Sequence, residues 1–327
     1  MSSIAQITIH QSQFPQNVSR ELLESLRVRK VNHKFHYDTV KQANKWLAVA
    51  AAYAPFHTQS DGAAIYEAAF DAVAQLPLSS SVHIIGLGCG GGQKDAQLLK
   101  QLRRDRPRLF YTPSDTSVPM VLVARKAALE LVSESDCFPL VCDLAAAEDI
   151  ADVLARFPIP QVSRLFTFFG MLPNFEPALV LPRVAALVRP GDSLLLSANL
   201  APGNDYAIGM EQIFRQYANP PTAEWLLTFL LDLGIERGDG NIQFSIEDAP
   251  GNADLKRVAA YFEFTGTREI NVESQCLVFS PGDSVRLFFS YRHTPSLVQS
   301  LLESQGLRVA QQWFTRSAEE GIFLVTR

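Results

Sequence analysis

Between residues 76 and 203, short apolar runs alternate with longer amphipathic stretches. The runs "VHIIG", "RLFY", "PLVC", "RLFTFF" and "SLLLSA" predict strands, and the segments between them predict helices, among them helices over residues 94–104 and 118–132. Successive strands lie about thirty residues apart, which is typical of parallel strands joined by right-handed helical crossovers. The sequence therefore predicts an α/β fold in which helices cover both faces of a Rossmann-type parallel sheet.

The pattern changes near residue 204. Helical stretches and then segments of alternating apolar and polar residues predict an inserted α+β domain over residues 204–286, with antiparallel strands. A helix and two strands follow over residues 287–327, and we expect them to return to the edge of the first sheet. Residues 1–75 are mostly helical and contain "NHKFHYDTV", which is rich in aromatic and basic side chains. We expect this N-terminal segment to belong to the second domain and "NHKFHYDTV" to act as a lid.

Composition narrows the classes of partner. A net charge of −5 and a pI of about 5.7 exclude binding of nucleic acid or anionic lipid through bulk positive charge, so a small molecule is the expected partner. The longest apolar run, "TAEWLLTFLLDLG", is broken by Glu224 and Asp232, and it predicts a buried helix rather than a membrane span. The N-terminal residues lack a signal-peptide pattern and the four cysteines lack metal-type spacing, which favours a reduced, cytoplasmic protein. Among the six histidines the near pair His33 and His36 lacks a third ligand, so no metal site is predicted.

The stretch "GLGCGGGQK", residues 86–94, follows the first strand of the predicted sheet directly. In an open parallel sheet a ligand binds outside the carboxyl ends of the strands, where residues without a Cβ let the backbone approach it. Gly88, Gly90 and Gly92 occupy such a turn. The alternative is an ordinary tight turn between a strand and a helix, which also recruits glycine.

Two acids follow at the ends of the next two strands. Asp115 ends the second strand, where a carboxylate can accept hydrogen bonds from both hydroxyls of a ribose. Asp143 ends the third strand, where it can accept from the exocyclic amine of adenine. A glycine turn followed by these two acids fits S-adenosylmethionine (SAM) better than a nicotinamide cofactor. For each aspartate the alternative is a helix N-cap.

The segments "GLGCGGGQKDAQLL", "TPSDTS", "VCDL", "FTFFGMLPNFEP" and "RPGDSLLLSANL" together resemble the histidine-specific, SAM-dependent methyltransferase family. The resemblance covers most of the chain and is clearest over residues 81–200. It implies a Rossmann-type class I methyltransferase domain and a second α+β substrate domain, formed by the N-terminal segment and the insertion. It also implies that the residues matching the family's cofactor contacts are Gly88, Gly90, Lys94, Asp115, Asp143, Phe169 and Gly170. By the same matching, Tyr37 and Asn174 hold the amine and carboxylate of an amino acid, and Ser290 faces the substrate.

This sequence departs from the pattern of the family at several positions. Gly86 stands where such methyltransferases commonly carry an acid at the end of the first strand, which removes one anchor for the cofactor. Phe288 corresponds to the glutamate that pairs with an imidazole, and Phe214 to a substrate-side tyrosine. The family's "YYP" is "YAP" here, which keeps Tyr53 on the substrate side and places Ala54 at the second tyrosine. Polar contacts have become apolar, so the substrate is predicted to be an amino acid or amine other than histidine, with an apolar or aromatic side chain. For Phe214 and Phe288 a place in the hydrophobic core is the alternative.

Methyl transfer from a sulfonium requires mainly that an unprotonated nucleophile be placed in line with the sulfur–methyl bond. Tyr37 and Asn174 are uncharged and are the expected catalytic residues, because they can orient an amine and favour its neutral form. For Tyr37 a helix-surface aromatic is the alternative, and for Asn174 a turn residue. Two other functions remain open at this point. The chain could bind SAM without transferring its methyl group, or it could be an O-methyltransferase.

Overall fold

The structure is a computed structural model that describes residues 4–327. The strands of these residues are β1 (Thr8–Ile9), β2 (Ser81–Leu87), β3 (Arg108–Asp115), β4 (Leu140–Val141), β5 (Ser163–Phe169), β6 (Ser193–Asn199), β7 (Gly240–Ala249), β8 (Asn252–Phe264), β9 (Arg268–Val272), β10 (Gln275–Phe279), β11 (Ser284–Arg292), β12 (Arg308–Phe314) and β13 (Glu320–Thr326). The helices are α1 (Pro15–Arg27), α2 (Val40–Tyr53), α3 (Pro55–Thr58), α4 (Gly62–Ala74), α5 (Gln93–Leu102), α6 (Val118–Ala128), α7 (Ile150–Ala155), α8 (Pro177–Leu187), α9 (Tyr206–Phe214), α10 (Pro220–Asp232) and α11 (Pro295–Glu303).

Within the described residues the main sheet has the order β1-β4-β3-β2-β5-β6-β13-β12. The strands from β1 to β6 run parallel, and β13 runs antiparallel between β6 and β12. The chain winds outward from β2 in both directions, so the crevice beside the carboxyl end of β2 is where this topology accepts a ligand. The predicted α/β fold with a Rossmann-type sheet, closed at one edge by two C-terminal strands, is confirmed.

Both faces of the main sheet are covered by helices. Apolar residues of α4, α5 and α6 pack on one face, and those of α7, α8 and α11 pack on the other. Helix α6 begins where the Ser117 hydroxyl accepts from the Met120 amide, and α2 begins with a capping box formed by Thr39 and Gln42. These caps fix where the helices that flank the crevice begin.

A second, antiparallel sheet with the order β11-β8-β7 lies beside the first, and β9 and β10 form a hairpin next to it. Helices α1 and α10 contribute to its core, which contains Trp225, Phe229, Phe262 and Phe288. The predicted antiparallel strands are therefore present, and they have their own apolar core.

The division of the chain differs from the predicted boundaries at two places. All of β11, through Arg292, pairs with β8, and the chain returns to the main sheet only at His293, which bridges to Leu200. At the other end, β1 pairs with β4 and α4 packs on the main sheet, so the N-terminal segment contributes to both domains. Pairing between strands decides these boundaries, and the periodicity of residues does not reveal which strands pair.

The expectation of a lid at "NHKFHYDTV" is wrong for the short 3₁₀ helix His33–His36. Phe35 and His36 are buried in the core of the second domain. The His36 ring contacts the Leu287 carbonyl through Nε2 at 2.6 Å, and the Trp225 indole donates to the His36 carbonyl at 3.0 Å. The segment is a fixed wall.

Two helices end earlier than predicted, since α5 ends at Leu102 and α6 at Ala128. After α5 the chain turns and enters β3 just after Pro107. A residue that precedes a proline disfavours the helical backbone conformation, so the helix has to end before this point. Within residues 4–327 no helix is long and apolar enough to cross a membrane.

Candidate functional site

A cavity of about 420 Å³ lies between the carboxyl ends of the central strands and the second domain. Its walls come from the N-terminal segment, the glycine-rich turn after β2, the ends of β3 to β5, and β11. Of the residues singled out from the sequence, those that line it are Tyr37, Tyr53, Gly88, Gly90, Lys94, Asp115, Asp143, Phe169, Gly170, Asn174, Phe288 and Ser290. The structure thus brings all the predicted cofactor-binding and substrate-side residues except Phe214 to a single cavity.

Phe214 is the exception, because it lies outside the lining of the cavity. It ends α9 and packs against a small apolar cluster that contains Met210 and Ile213. Tyr217, three residues later, lines the cavity instead. The expectation that Phe214 faces a substrate therefore has no support in the structure, and the alternative of a packing residue fits its position.

The glycine-rich turn presents bare backbone to the cavity. Gly88 and Gly90 have φ values of +68° and +51°, in the left-handed region that side chains other than glycine rarely adopt. A Cβ on Gly88 would lie 2.5 Å from the Met171 side chain, and one on Gly90 would lie 3.3 Å from the Trp46 ring. A side chain at either position would be strained and would press on a wall of the cavity.

Asp115 sits at the end of β3 and fixes this turn. Its Oδ2 accepts from the Gly90 amide at 3.0 Å, and its Oδ1 accepts from the Ser117 amide at 3.0 Å. Burial raises the pKa of the carboxyl, and these backbone donors oppose that rise. The Thr116 hydroxyl also lies at 3.5 Å from Oδ1, a long bond that a ligand hydroxyl can replace. A carboxylate has about four lone-pair sites, so about two serve hydroxyls of a ligand once that long bond gives way.

Asp143 occupies the corresponding place after β4 and is also bonded within the protein. Its Oδ1 accepts from the Ala145 amide at 2.9 Å, and its Oδ2 accepts from Lys34 Nζ at 3.2 Å. Lys34 is buried and pairs with Glu21 as well, at 2.5 Å. The first contact closes a turn and does not cap a helix, because the next helix, α7, begins only at Ile150. The ion pair ties the N-terminal segment to this end of the cavity.

Lys94 lies on the opposite side of the turn, over a cluster of aromatic rings. Its Nζ is 4.3 Å from the centroid of Tyr66 and 5.9 Å from that of Phe169, and it pairs with Glu320 Oε1 at 3.2 Å. Tyr66 bridges these groups, donating to Glu320 and accepting from Lys94. Glu320 is 1% exposed, and its Oε2 has no hydrogen-bond partner among residues 4–327. A cation and an incompletely paired carboxylate thus meet at this end of the cavity.

Strand β11 supplies the wall on the side of the second domain. Phe288, Ser290 and Arg292 alternate along it and all line the cavity, as the period of two in a strand requires. Tyr217 contacts this wall, since its hydroxyl lies 2.9 Å from Ser290 Oγ and accepts from Arg292 Nη2 at 2.9 Å. The wall is apolar at Phe288 and polar beyond it.

Arg292 is 1% exposed and makes hydrogen bonds only to neutral acceptors among residues 4–327. Its guanidinium donates to the Leu200 carbonyl, to Gln216 Oε1 and to the Tyr217 hydroxyl, and no carboxylate lies within 4.0 Å of it in the described chain. A buried cation without an acid is costly, so this wall favours an anionic group in the cavity.

Tyr37 and Asn174 lie on the walls between the two halves of the cavity. The Tyr37 ring is 5.5 Å from those of Trp46 and Trp225, and burial raises its pKa far above the usual 10. Its phenol is therefore neutral at physiological pH. Asn174 ends the 3₁₀ helix Leu172–Asn174, which follows β5 and contacts β11.

Several lining residues were not anticipated from the sequence. They are Lys34, Trp46, Tyr217, Trp225, Arg292 and Glu320. Strand parity from Ser290 would have placed Arg292 on the same face. Nothing in the sequence pairs Glu320 with Lys94, because the two are 226 positions apart. Within residues 4–327 no group of three or more metal-ligating side chains comes together.

The lining residues fit SAM. The glycine turn offers bare backbone, Asp115 keeps acceptor sites for ribose hydroxyls, and the Lys94–Glu320 pair offers both charges to an amino acid moiety that also carries both. The unpartnered Glu320 Oε2 is an acceptor that such an ammonium would satisfy.

Comparison with known proteins identifies the family. Residues 15–327 match the family described as "Histidine-specific methyltransferase, SAM-dependent". The histidine N-alpha-methyltransferase of Mycobacterium tuberculosis is 25% identical over 253 residues, which cover 75% of each chain. A SAM-dependent methyltransferase from Clostridium acetobutylicum aligns with 86% of this chain and 98% of its own, at 11% identity and a TM-score of 0.44. The 1,6-didemethyltoxoflavin-N1-methyltransferase of Burkholderia thailandensis aligns with 88% and 89%, at 12% identity and a TM-score of 0.42. The resemblance to this family is confirmed: the chain belongs to the histidine-specific, SAM-dependent methyltransferase family, with SAM as its cofactor and an α/β fold built on a Rossmann-type sheet.

Proposed function

We propose that this methyltransferase acts on the amine nitrogen of an amino acid other than histidine, one with an apolar or aromatic side chain. The observation that carries the proposal is the wall formed by β11. It presents a buried guanidinium without an acid partner in the described chain, at Arg292, two positions beyond Ser290 and four beyond the apolar Phe288. A carboxylate beside an apolar group is what such a wall complements.

The cofactor is proposed to lie along the carboxyl edge of the main sheet. Asp143 follows β4, Asp115 ends β3, and Lys94 lies beyond β2, which matches the order of adenine, ribose and methionyl group. Asp115 then accepts from the ribose hydroxyls and Lys94 holds the methionyl carboxylate. When bound, SAM supplies a methyl group activated on its sulfonium sulfur.

Tyr37 and Asn174 are proposed to hold the amine. Because burial keeps the Tyr37 phenol protonated, it can donate one hydrogen bond and accept another, but it does not act as a base at physiological pH. The Asn174 amide oxygen can accept an amine N–H. Neither residue carries the negative charge that would stabilise an ammonium, so both favour the neutral amine whose lone pair must face the methyl group. The proton is lost to solvent before the transfer, and the aromatic walls at Trp46 and Trp225 exclude water from the nucleophile.

The side chain of the substrate is proposed to lie against Phe288. This ring is 5.8 Å from that of Trp225 and 5.9 Å from that of Tyr217, which makes an aromatic wall. An imidazole N–H that faces Phe288 would lose its water partner without a replacement, which costs about 1–3 kcal/mol. Histidine is therefore expected to be a poor substrate, by roughly 10-fold to 100-fold relative to an aromatic amino acid.

The test is a substrate panel with a matched control for the carboxylate. SAM binding is measured first by calorimetry, and kcat/KM is then measured for tryptophan, tyrosine, phenylalanine and histidine. Tryptamine, which lacks only the carboxylate of tryptophan, is the matched control for Arg292. We expect an N-methylated aromatic amino acid, turned over at least about 10-fold faster than histidine and than its decarboxylated amine. Tight SAM binding without turnover of any amine, or a product methylated on oxygen, would contradict the proposal.

A further inference from the structure

Asp95, on α5, is a buried acid in the wall of the cavity, beside the glycine-rich turn. It is 2% exposed. Its Oδ2 accepts from the Tyr111 hydroxyl and its Oδ1 from the Thr167 hydroxyl, each at 2.7 Å. The donors come from β3 and β5, on either side of β2, so the carboxylate stands at the carboxyl end of β2.

Gly86 makes room for this carboxylate. A Cβ on Gly86 would lie 2.4 Å from Asp95 Oδ2 and 3.2 Å from the Cβ of Cys89. The space that a side chain at the end of β2 would fill is thus held by the carboxylate of Asp95. From the sequence alone Gly86 predicts that an acid is missing at this point, but in the structure the next helix, α5, supplies a carboxylate at the same place.

The carboxylate of Asp95 lacks a cation. Among the described residues no lysine or arginine nitrogen lies within 4.0 Å of it, although Lys94 is its neighbour in the chain and lies across the same cavity. Two neutral hydroxyls are partial compensation for a buried negative charge, which is costly when it stays unpaired. Its position therefore favours a cationic group in the adjoining part of the cavity.

The order of the strands indicates which part of the cofactor would supply this cation. Asp143 follows β4 and Asp115 ends β3, and Asp95 stands one strand further along, at the carboxyl end of β2. If adenine and ribose lie at the first two, the methionyl half lies at the third. That half carries a sulfonium and an ammonium, both positive.

We infer that Asp95 is an anchor for the cationic methionyl half of SAM and takes over, from α5, the place that Gly86 vacates on β2. The inference rests on the orientation of the cofactor proposed above and not on the identity of the methyl acceptor. Asp95 therefore acts in binding, and a failure of amine methylation would leave the inference standing.

The experiment measures dissociation constants by calorimetry for three ligands, in the wild type and in Asp95→Asn. SAM carries sulfonium and ammonium, S-adenosylhomocysteine carries the ammonium alone, and 5′-methylthioadenosine carries neither. The isosteric amide keeps an acceptor for Tyr111 and a polar partner for Thr167, so the site remains filled. We expect the dissociation constant of SAM to rise by about 10-fold or more, and that of 5′-methylthioadenosine to change by less than about twofold.

S-adenosylhomocysteine distinguishes between the ammonium and the sulfonium, because it carries only the ammonium. A loss equal to that of SAM assigns Asp95 to the ammonium, and a smaller loss assigns it to the sulfonium. Equal losses for all three ligands, or no loss for SAM, would overturn the inference, because Asp95 would then act only on the shape of the site or not at all.

A second measurement needs no variant. In the wild type, the affinity for SAM relative to 5′-methylthioadenosine is followed from about pH 7 to about pH 5. The groups that face Asp95 are Tyr111, Thr167, Lys94 and Cys89, and burial raises the pKa values of the Tyr111 phenol and the Cys89 thiol well above this range. Asp95 is therefore the facing group whose charge changes, and the ratio should fall as the pH falls. A constant ratio would contradict the inference even if Asp95→Asn failed to fold.

Discussion

Replacing Asp115 by alanine tests the placement of the cofactor most simply. Two of the lone-pair sites of this carboxylate are taken by the amides of Gly90 and Ser117, each at 3.0 Å. About two serve ribose hydroxyls once the long bond from the Thr116 hydroxyl, at 3.5 Å, gives way. Hydrogen bonds to a charged group contribute about 1.5–3 kcal/mol each. Losing two of them, and the anchor of the glycine turn as well, should raise the dissociation constant of S-adenosylhomocysteine by at least about 10-fold.

The assay is calorimetry on variants shown by circular dichroism to be folded. Asp136→Ala is the matched control, because Asp136 pairs with Arg108 at the other end of β3, far from the lining of the cavity. It should bind S-adenosylhomocysteine as the wild type does. If Asp115→Ala binds with an unchanged dissociation constant, the ribose does not lie at Asp115 and the orientation of the cofactor along the sheet is wrong.

Four further changes test the substrate side and the electrostatics. Phe288→Glu should raise kcat/KM for histidine above that of the wild type by restoring an acceptor, while Phe214→Tyr, outside the cavity, should leave it unchanged; no gain at position 288 would mean that this ring does not face the substrate. Arg292→Met should raise KM for the amino acid by roughly 10-fold but leave tryptamine unaffected, and equal losses for both would remove the carboxylate from this wall. Asn174→Ala should lower kcat by roughly 10-fold to 100-fold with unchanged affinity for S-adenosylhomocysteine; an unchanged kcat would exclude Asn174 as a holder of the amine. Because burial raises the pKa of Asp95 from 3.8 to about 6, its protonation stabilises the ligand-free fold at low pH and that stability is lost as the pH rises through 6, so Asp95→Asn should raise Tm at pH 8 and do so less at pH 5; a gain that is independent of pH would refute this reasoning.

The half of the site on the main sheet could be predicted from the sequence, because its residues directly follow predicted strands. A buried strand followed at once by glycines, and acids at the ends of the next two strands, put Gly88, Asp115 and Asp143 at one edge of a parallel sheet once the strands are recognised. The pattern could not show which hydrogen bonds and ion pairs each acid already makes within the protein. Asp143 meets Lys34 from a segment 109 positions away in the chain.

The half on the second domain was accessible only in part. The resemblance placed Phe288 and Ser290 on β11, but it placed Phe214 one helical turn away from the residue that lines the cavity, Tyr217. Phe214 was matched to the family by its position in the sequence. Helix α9 ends there, and Tyr217, in the turn that follows, lines the cavity instead.

Gly86 and Asp95 show why a site cannot be predicted from one sequence position at a time. The sequence places a glycine where an acid is common and an acid nine residues later, and neither observation alone locates a charge. Only the packing of α5 against β2 brings the carboxylate of Asp95 to within 2.4 Å of where a Cβ on Gly86 would stand. Compensation of this kind depends on the distance between elements, which periodicity does not encode.

The most direct test of the account is a crystal structure of the protein with S-adenosylhomocysteine and the best amino acid of the substrate panel. We predict both ribose hydroxyls within hydrogen-bond distance of the Asp115 carboxylate, and the amine nitrogen between Tyr37 and Asn174, facing the sulfur. The carboxylate of the amino acid should lie on the polar part of the β11 wall, at Arg292. An amine turned away from the sulfur, or a cofactor whose ribose lies away from Asp115, would contradict the account.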